Sequence, residues 1–149
     1  MDISKILIKE NIFLNLDVKD REECLNVLID RMEEEGFINN KDEYYKSVLT
    51  RESTGSTAIG FNVAIPHGKS DGIKLPVLSF ARTKNPIDWN SLDGEYINMV
   101  FLIGVPEKNS GNEHIKILMS ISRKLVHDDF RKRLLNAKTE NEIISIIGE

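Results

Sequence analysis

Four stretches of the chain have the apolar character of β-strands: residues 12–16, 63–65, 75–83 and 96–105. Residues 12–16, Ile-Phe-Leu-Asn-Leu, alternate loosely between apolar and polar side chains, which is enough to predict a first strand. Residues 96–105 are nearly all apolar, which is typical of a central strand covered on both faces. Between the last two strands, Asn85-Pro86 and Asp93-Gly94 predict turns.

Helical spacing of apolar residues accounts for most of the rest of the chain. The residues that form the apolar stripes of the predicted helices are Leu25, Leu28, Ile29 and Met32; then Tyr44, Tyr45, Val48 and Leu49; then Ile115, Leu118, Ile121, Leu125 and Val126; and finally Ile143, Ile144, Ile146 and Ile147. A short helix is also predicted within residues 128–137. The first helix is expected to stop at Gly36, and the second near Arg51.

Three polar pairs with the spacing of capping boxes mark the starts of helices: Asp20 with Glu23, Asn40 with Glu43, and Thr139 with Glu142. The resulting order is one strand, two helices, three strands and three helices. This order predicts an α/β fold, a three-layer α/β/α sandwich around a mixed sheet. No repeat or linker interrupts it, so residues 1–149 are expected to form a single domain.

Composition narrows the possible partners. The net charge of −4 argues against nucleic acid as the main partner. The single cysteine permits neither an intramolecular disulfide nor a cysteine-based metal cage, which suits a reducing cytoplasm. No stretch resembles a signal peptide or a membrane span, so no direct membrane insertion is expected and any membrane role would come through a partner.

Candidate chemistry is concentrated in residues 51–68, "RESTGSTAIGFNVAIPHG". His67 is expected just beyond the strand 63–65, because Pro66 cannot donate a further ladder hydrogen bond. An imidazole in this position is a candidate nucleophile, since it is largely neutral at cytoplasmic pH. Arg51 offers a fork of donors that matches phosphate oxygens. The loop adds hydroxyls at Thr54, Ser56 and Thr57 and glycines at 55 and 60, through which backbone N–H groups can approach an anion.

Each of these features also has an ordinary structural interpretation. A lone histidine after a strand is often a surface or capping residue, and Arg51-Glu52 at a helix end is usually a solvated charge pair. The chain has no Walker lysine motif and no obvious paired-carboxylate magnesium site. The features gain weight because they fall within one continuous strand-and-loop unit.

That unit resembles the signature of the type-2 EIIA domains, the fructose/mannitol group, of the bacterial phosphoenolpyruvate-dependent sugar phosphotransferase system. The similarity runs from Glu52 to Gly68: an acidic residue, a six-residue spacer, Ile-Gly, two free positions and Val-Ala-Ile-Pro-His-Gly. It continues in "PIDWNSLDGE" and "VFLIGVP", which are similar to the fructose branch, and in "HIKILMSISRKL".

The resemblance implies a phosphocarrier without a cofactor or a metal. His67 would accept a phosphoryl group through Nε2 from phospho-HPr and pass it to a cysteine of an EIIB domain, which serves a membrane EIIC component. Arg51 would contact the phosphoryl group, His114 would be a second active-site histidine and Thr57 a loop hydroxyl that binds phosphate. The kind of sugar is expected to be fructose-type.

Two observations qualify or support these assignments. His114 is expected near a helix N-terminus, after Ser110-Gly111-Asn112, where free N–H groups and the helix dipole favour an anion. The family commonly has glycine at the positions of Asn62 and Ala58. Asparagine tolerates left-handed backbone, so the turn can survive at Asn62, whereas Ala58 restricts the loop a little.

Three further expectations concern neighbouring residues. An apolar rim formed by Ile59, Phe61 and Val63 would dock HPr. Cys24 is expected to be a small packing residue, and Trp89 a packing lid rather than a sugar platform.

Two other functions stay open on the sequence alone. In nitrogen-type and other regulatory EIIA proteins, phosphorylation of the equivalent histidine switches protein partners and moves no sugar. A metallohydrolase built on His67, His114 and His127 is weakly supported, because their spacings match no known ligand pattern.

Overall fold

The computed structural model describes residues 3–108 and 112–149, apart from the side chain of Glu113. The described residues form six strands: β1 (Ile12–Leu16), β2 (Ala58–Gly60), β3 (Val63–Ala64), β4 (His67–Lys69), β5 (Val77–Ile87) and β6 (Ile97–Val105). They also form five α-helices: α1 (Arg21–Glu34), α2 (Lys41–Ser53), α3 (Glu113–Leu125), α4 (Asp128–Asn136) and α5 (Glu140–Ile147). Two single turns of 3-10 helix, Ile3–Lys5 and Lys9–Asn11, precede β1.

The strands form one mixed sheet in the order β1-β5-β6-β3-β2. β1 runs parallel to β5, β5 antiparallel to β6, and β2 antiparallel to β3. β3 and β4 both pair in parallel with β6, one after the other along the same edge of that strand. The segment that carries His67 is therefore supported along its length by the central strand of the sheet.

Helices cover both faces of the sheet, which confirms the predicted three-layer α/β/α fold. One face of β6 packs through Met99, Phe101 and Ile103 in the same apolar cluster as α3, α4 and α5. The other face packs through Val100 and Leu102 in the same cluster as α1 and α2. β6 is buried on both sides, as its nearly continuous apolar sequence predicted.

The three predicted helix caps are confirmed. The side chain of Asp20 accepts a hydrogen bond from the backbone N–H of Glu23 at 2.8 Å. The side chains of Asn40 and Thr139 accept the corresponding bonds, from the N–H groups of Glu43 and Glu142 respectively, at 3.1 Å each. Each side chain satisfies an N–H group that a helix N-terminus leaves without an intrahelical partner.

The predicted strand at 63–65 is confirmed at Val63–Ala64, but the prediction of a loop before it was wrong in part. The segment around Gly60 is not a loop throughout: residues 58–60 form β2, which pairs with β3 in a tight hairpin. Gly60, Phe61 and Asn62 at its tip all have positive φ, at 96°, 58° and 62°. Asn62 thus adopts the left-handed backbone that was expected of it.

Two other elements also differ from prediction. Asn85-Pro86 makes no turn but lies within β5, where the pairing with β6 is irregular between Arg82 and Ile87; such an irregularity accommodates a proline that cannot donate. The stripe predicted for α3 is wrong at Ile115 and at Val126, the residue after the helix, which are both exposed; the predicted Ile121 and Leu125 are buried, together with Ile117. These three residues are four apart and therefore share one face of the helix.

Candidate active site

His67 is the first residue of β4, and its ring points away from α2. Gly68, the next residue, faces α2 so closely that a Cβ atom there would lie 2.2 Å from Oγ of Ser47. Because successive side chains of a strand point to opposite faces, His67 faces the layer that contains α3. His67 was expected just after a strand; it starts a second short strand instead, because the backbone resumes pairing with β6 after Pro66.

One hydrogen bond determines the tautomer of the neutral His67 ring. Nδ1 lies 3.0 Å from the carbonyl oxygen of Ile65. A carbonyl oxygen can only accept, so this bond requires the proton on Nδ1 and leaves the lone pair on Nε2. The half-buried ring therefore has an unprotonated Nε2, the form that a nucleophilic imidazole requires.

His114 lies beside His67, as the resemblance implied. It is the second residue of α3, and the centroids of the two rings are 6.4 Å apart with an angle of 29° between their planes. Nδ1 of His114 is buried and has no hydrogen-bond partner among the described residues. The first turn of α3 adds backbone N–H groups and the positive end of a helix dipole; of the residues expected to precede it, Ser110 and Gly111 lie outside the described part of the chain.

Arg51 lies in the last turn of α2, and its positive charge lowers the pKa of His67. Its Nη1 donates hydrogen bonds to Oγ1 of Thr54 at 3.2 Å and to the carbonyl oxygen of Gly55 at 2.8 Å. These two bonds attach the guanidinium group to the loop that follows the helix. The site thus contains a fixed cation with the planar geometry that phosphate oxygens match.

The environment lowers the pKa of both histidines. For His67, partial burial is the main cause; the charges of Arg51 and His114 lower its pKa further, while the Ile65 carbonyl and Glu52 oppose the change. Burial, followed by the charge of Lys69, lowers the pKa of His114. Both rings are therefore mainly neutral at pH 7, the form in which Nε2 of His67 can attack.

Thr57 has a different setting from the open loop hydroxyl that was predicted. It is only 4% exposed, and its hydroxyl donates a short hydrogen bond to Oε1 of Glu52. Its backbone N–H donates to Oε2 of the same carboxylate at 3.1 Å. The phosphate-binding role of Thr57 stays a prediction, and the hydroxyl is engaged inside the loop.

Glu52 is the residue that the sequence interpretation missed. It is buried, and it also accepts a hydrogen bond from Nε1 of Trp89 at 3.1 Å. The signal was present in the helical spacing, since Tyr44, Val48 and Glu52 are four residues apart and share the buried face of α2. A glutamate in phase with that face predicts a buried carboxylate with partners rather than a solvated charge.

The expected apolar rim is only partly present. Ile59 and Phe61 are exposed at 40% and 47%, but Val63 is fully buried in the core and is no part of a surface. The guanidinium carbon of Arg131 lies 4.1 Å from the centre of the Phe61 ring. This contact joins the β2–β3 hairpin to α4.

Trp89 and Cys24 are both fully buried, as expected of packing residues. Burial, followed by the charge of Glu23, raises the pKa of the Cys24 thiol to about 12. Among the described residues, no group of three or more His, Cys, Asp and Glu side chains is placed to hold a metal ion. Within the same residues, no helix has both the length and the apolar character needed to cross a bilayer.

A family model described as "Phosphoenolpyruvate-dependent sugar phosphotransferase system, EIIA 2" matches residues 5–149. The chain belongs to this EIIA family. This EIIA domain is 36% identical to part of the fructose-specific EIIABC component of Bacillus subtilis (strain 168). The match covers the whole of this chain and 23% of that protein. It is 32% identical to the fructose-specific EIIA component of Haloferax volcanii, over 99% of this chain and 96% of that protein.

The fold of this EIIA domain is also found in a solved regulatory protein. The crystal structure of nitrogen regulatory protein IIA-Ntr from Neisseria meningitidis superposes with a TM-score of 0.85 at 25% sequence identity, and the match covers 97% of this chain and 98% of that one. The fold of this chain therefore also occurs in a protein whose name indicates nitrogen regulation.

Proposed function

We propose that this EIIA domain, residues 1–149, is a phosphocarrier that accepts a phosphoryl group on Nε2 of His67 from phospho-HPr. The observation that carries the proposal is the hydrogen bond from Nδ1 of His67 to the carbonyl of Ile65, 3.0 Å long, which leaves the lone pair on Nε2. Arg51 and His114 bind the phosphoryl oxygens. The reaction takes place in the cytoplasm and needs no cofactor or metal.

In the transfer step, the lone pair of Nε2 attacks phosphorus and forms a P–N bond. The bond between phosphorus and the donor breaks, and the donor's leaving atom takes the electron pair. Positive charge develops on the ring as this happens, and the Ile65 carbonyl stabilises it through Nδ1–H. The negative charge of the phosphoryl group in turn favours protonation of His114, which then donates a hydrogen bond to an equatorial oxygen.

The acceptor of the phosphoryl group is a cysteine of an EIIB domain. The name of the Bacillus subtilis relative, an EIIABC component, supports partners of the EIIB and EIIC type. The names of both relatives specify fructose, which supports a fructose-type sugar. Membrane association is then indirect, through EIIC.

Phosphoryl-transfer reconstitution tests which histidine of this chain accepts the phosphoryl group. With phosphoenolpyruvate, enzyme I and HPr, the wild-type protein should be labelled and His67→Ala should not. His114→Ala should keep the label but acquire it about 10²-fold more slowly, because the oxygens of the transferring group lose one donor. Undiminished labelling of His67→Ala would overturn the assignment, and labelling lost only in His114→Ala would exchange the two roles.

A regulatory role is the second candidate, and the similarity to IIA-Ntr favours it. In that case phosphorylation of His67 would switch a protein partner and no EIIB domain would accept the group. The two functions separate in one assay, in which the labelled protein is mixed with the EIIB proteins of the same organism. Rapid loss of label to an EIIB cysteine supports transport, whereas label retained with all of them supports regulation.

A further inference from the structure

A buried carboxylate lies under the active-site loop and takes no part in the transfer step described above. Glu52 follows Arg51 directly and has a side chain only 2% exposed. It accepts hydrogen bonds from the backbone and hydroxyl of Thr57 and from the indole of Trp89. Burying a charge is costly unless it is well partnered, so its position next to the site calls for an explanation.

Three consecutive hydrogen bonds connect this carboxylate to the ring of His67. The backbone N–H of Thr57 donates to Oε2 of Glu52 at 3.1 Å. The carbonyl oxygen of Thr57 accepts from the N–H of Ile65 at 3.0 Å. The carbonyl oxygen of Ile65 then accepts from Nδ1 of His67, again at 3.0 Å.

We propose that Glu52 is a positioning residue: through the backbone of Thr57 and Ile65, it fixes the orientation and the tautomer of the His67 ring. The relay acts by position: the N–H and C=O groups of Thr57, and likewise those of Ile65, lie on adjacent planar peptide groups joined at one Cα atom, so holding one group limits where the next can point. The inference deepens the proposed function, since a tautomer with a free Nε2 is what that function requires.

The relay needs a carboxylate rather than any polar side chain. Oε1 of Glu52 accepts from the Thr57 hydroxyl and from Trp89, while Oε2 accepts from the Thr57 N–H. Nη1 of Arg21 lies 3.7 Å from Oε2 and supplies the counter-charge. A glutamine has one acceptor oxygen, so its NH₂ group would face one of these donors without forming a bond.

Nitrogen-15 NMR of the imidazole ring tests the proposal directly. In the wild-type protein above pH 7, His67 should carry its proton on Nδ1. In Glu52→Gln the ratio of the Nδ1–H to the Nε2–H tautomer should fall about tenfold, the factor expected when one hydrogen bond of the relay is lost. A wild-type ring protonated on Nε2, or a Glu52→Gln ring with the wild-type ratio, would overturn the proposal.

Trp89→Phe is the matched control, because it removes a donor to Oε1 of Glu52 and leaves the bond from the Thr57 N–H to Oε2 in place. Both variants should be destabilised towards urea, but only Glu52→Gln should change the tautomer ratio. An equal change in Trp89→Phe would mean that loosening the buried cluster suffices, which contradicts a relay through Oε2. If Glu52→Gln does not fold, Glu52→Asp keeps the charge but is one methylene shorter, and the same change in the ratio is expected of it.

Kinetics give a second readout. Glu52→Gln should lower the maximal rate of phosphoryl acceptance about tenfold and leave unchanged the phospho-HPr concentration at half-maximal rate, since Glu52 is buried away from any donor protein. A rise in that concentration with an unchanged maximal rate would overturn the proposal. The NMR measurement needs no phosphoryl donor, so failure of the relay can be told apart from failure of the proposed function.

Discussion

At the scale of single residues, His67 combines a nucleophilic nitrogen with surroundings that oppose its protonation. The ring is half-buried, and both its burial and the nearby Arg51 cation lower its pKa below the ordinary value of 6.5. The hydrogen bond to Ile65 and the carboxylate of Glu52 act in the opposite direction without overcoming burial. In the proposed function, the same cation that suppresses protonation would bind the phosphoryl group after transfer.

The pH dependence of phosphoryl acceptance follows from this lowered pKa. The rate should be constant from pH 8 down to about 6.5 and fall only below that, because the neutral form of His67 persists there. Arg51→Met removes a cation that lowers the pKa, so the midpoint of the His67 NMR titration should rise in that variant. A wild-type midpoint at or above 6.5, or a lower midpoint in Arg51→Met, would contradict this account.

The free energy of unfolding should depend on pH through the same two histidines, His67 and His114. Since the pKa of His67 and that of His114 are lowered in the folded protein, the unfolded chain binds protons first as the pH falls below about 6.5. The free energy of unfolding should therefore decrease from pH 6.5 downwards, through the lower folded-state pKa values. In His67→Ala this decrease should be smaller, which urea titrations at several pH values would measure.

Among the helices and strands, the sequence predicted the features that depend on residues close together in the chain. The caps at Asp20, Asn40 and Thr139 are satisfied inside one turn of chain, and the central strand β6 is long enough for its apolar run to be unambiguous. Strands β2 and β4 could not be predicted in this way, because two or three residues interrupted by glycine or proline have no period. The stripe of α3 was wrong in its first turn because Ile115 and Ile117 are equally apolar and only tertiary packing decides which is buried.

The candidate site shows the same division. His67, Arg51 and His114 were recognisable from a continuous motif and a resemblance; the structure places the two histidine rings side by side, and the charge of Arg51 acts on His67. The network of Glu52 joins residues up to 37 positions apart in sequence, since it includes Trp89. No spacing rule predicts which buried indole will reach which carboxylate, so this part of the site became visible only in the fold.

Gly68 offers a test of how elements position the site. A Cβ atom there would lie 2.2 Å from Oγ of Ser47 and 3.1 Å from side-chain atoms of Tyr44 and Val48. Gly68→Ala should therefore push α2 away from β4 and cost about 1–3 kcal/mol of unfolding free energy. It should also slow phosphoryl acceptance, because α2 carries Arg51 and β4 carries His67, so separating the two elements moves the guanidinium group away from the imidazole ring.

The double variant Gly68→Ala/Ser47→Ala provides the control. It removes the nearest clashing atom, so part of the lost stability and rate should return, and the two substitutions should be non-additive. Strictly additive effects would show that the helix and the strand are not in the tight contact described.

Across the whole molecule, Arg82 on β5 connects the sheet to helix α4 and also bonds to the neighbouring strand β1. From β5 its Nε donates to the carbonyl oxygen of Leu14 on β1 at 3.0 Å. Its Nη1 donates to the carbonyl oxygens of Leu134, Leu135 and Ala137 at 2.9, 3.2 and 2.6 Å. These last carbonyls lie at the C-terminal end of α4, where a helix leaves acceptors unsatisfied and a cation is favourable.

Arg82→Met should therefore weaken the fold without touching the site. The side chain keeps its apolar length but loses every donor, so the free energy of unfolding should fall by about 2–4 kcal/mol. Fluorescence of Trp89, the chain's single tryptophan and fully buried, reports unfolding in urea. The midpoint should move to lower urea with an unchanged slope. The rate of phosphoryl acceptance per folded molecule should stay at the wild-type value, since Arg82 bonds to β1 and α4 rather than to the active site.

Arg82→Lys is the control, with one nitrogen in place of the guanidinium fork. Its urea midpoint should lie between that of the wild-type protein and that of Arg82→Met. A wild-type midpoint for Arg82→Met would show that α4 is held by its apolar contacts alone.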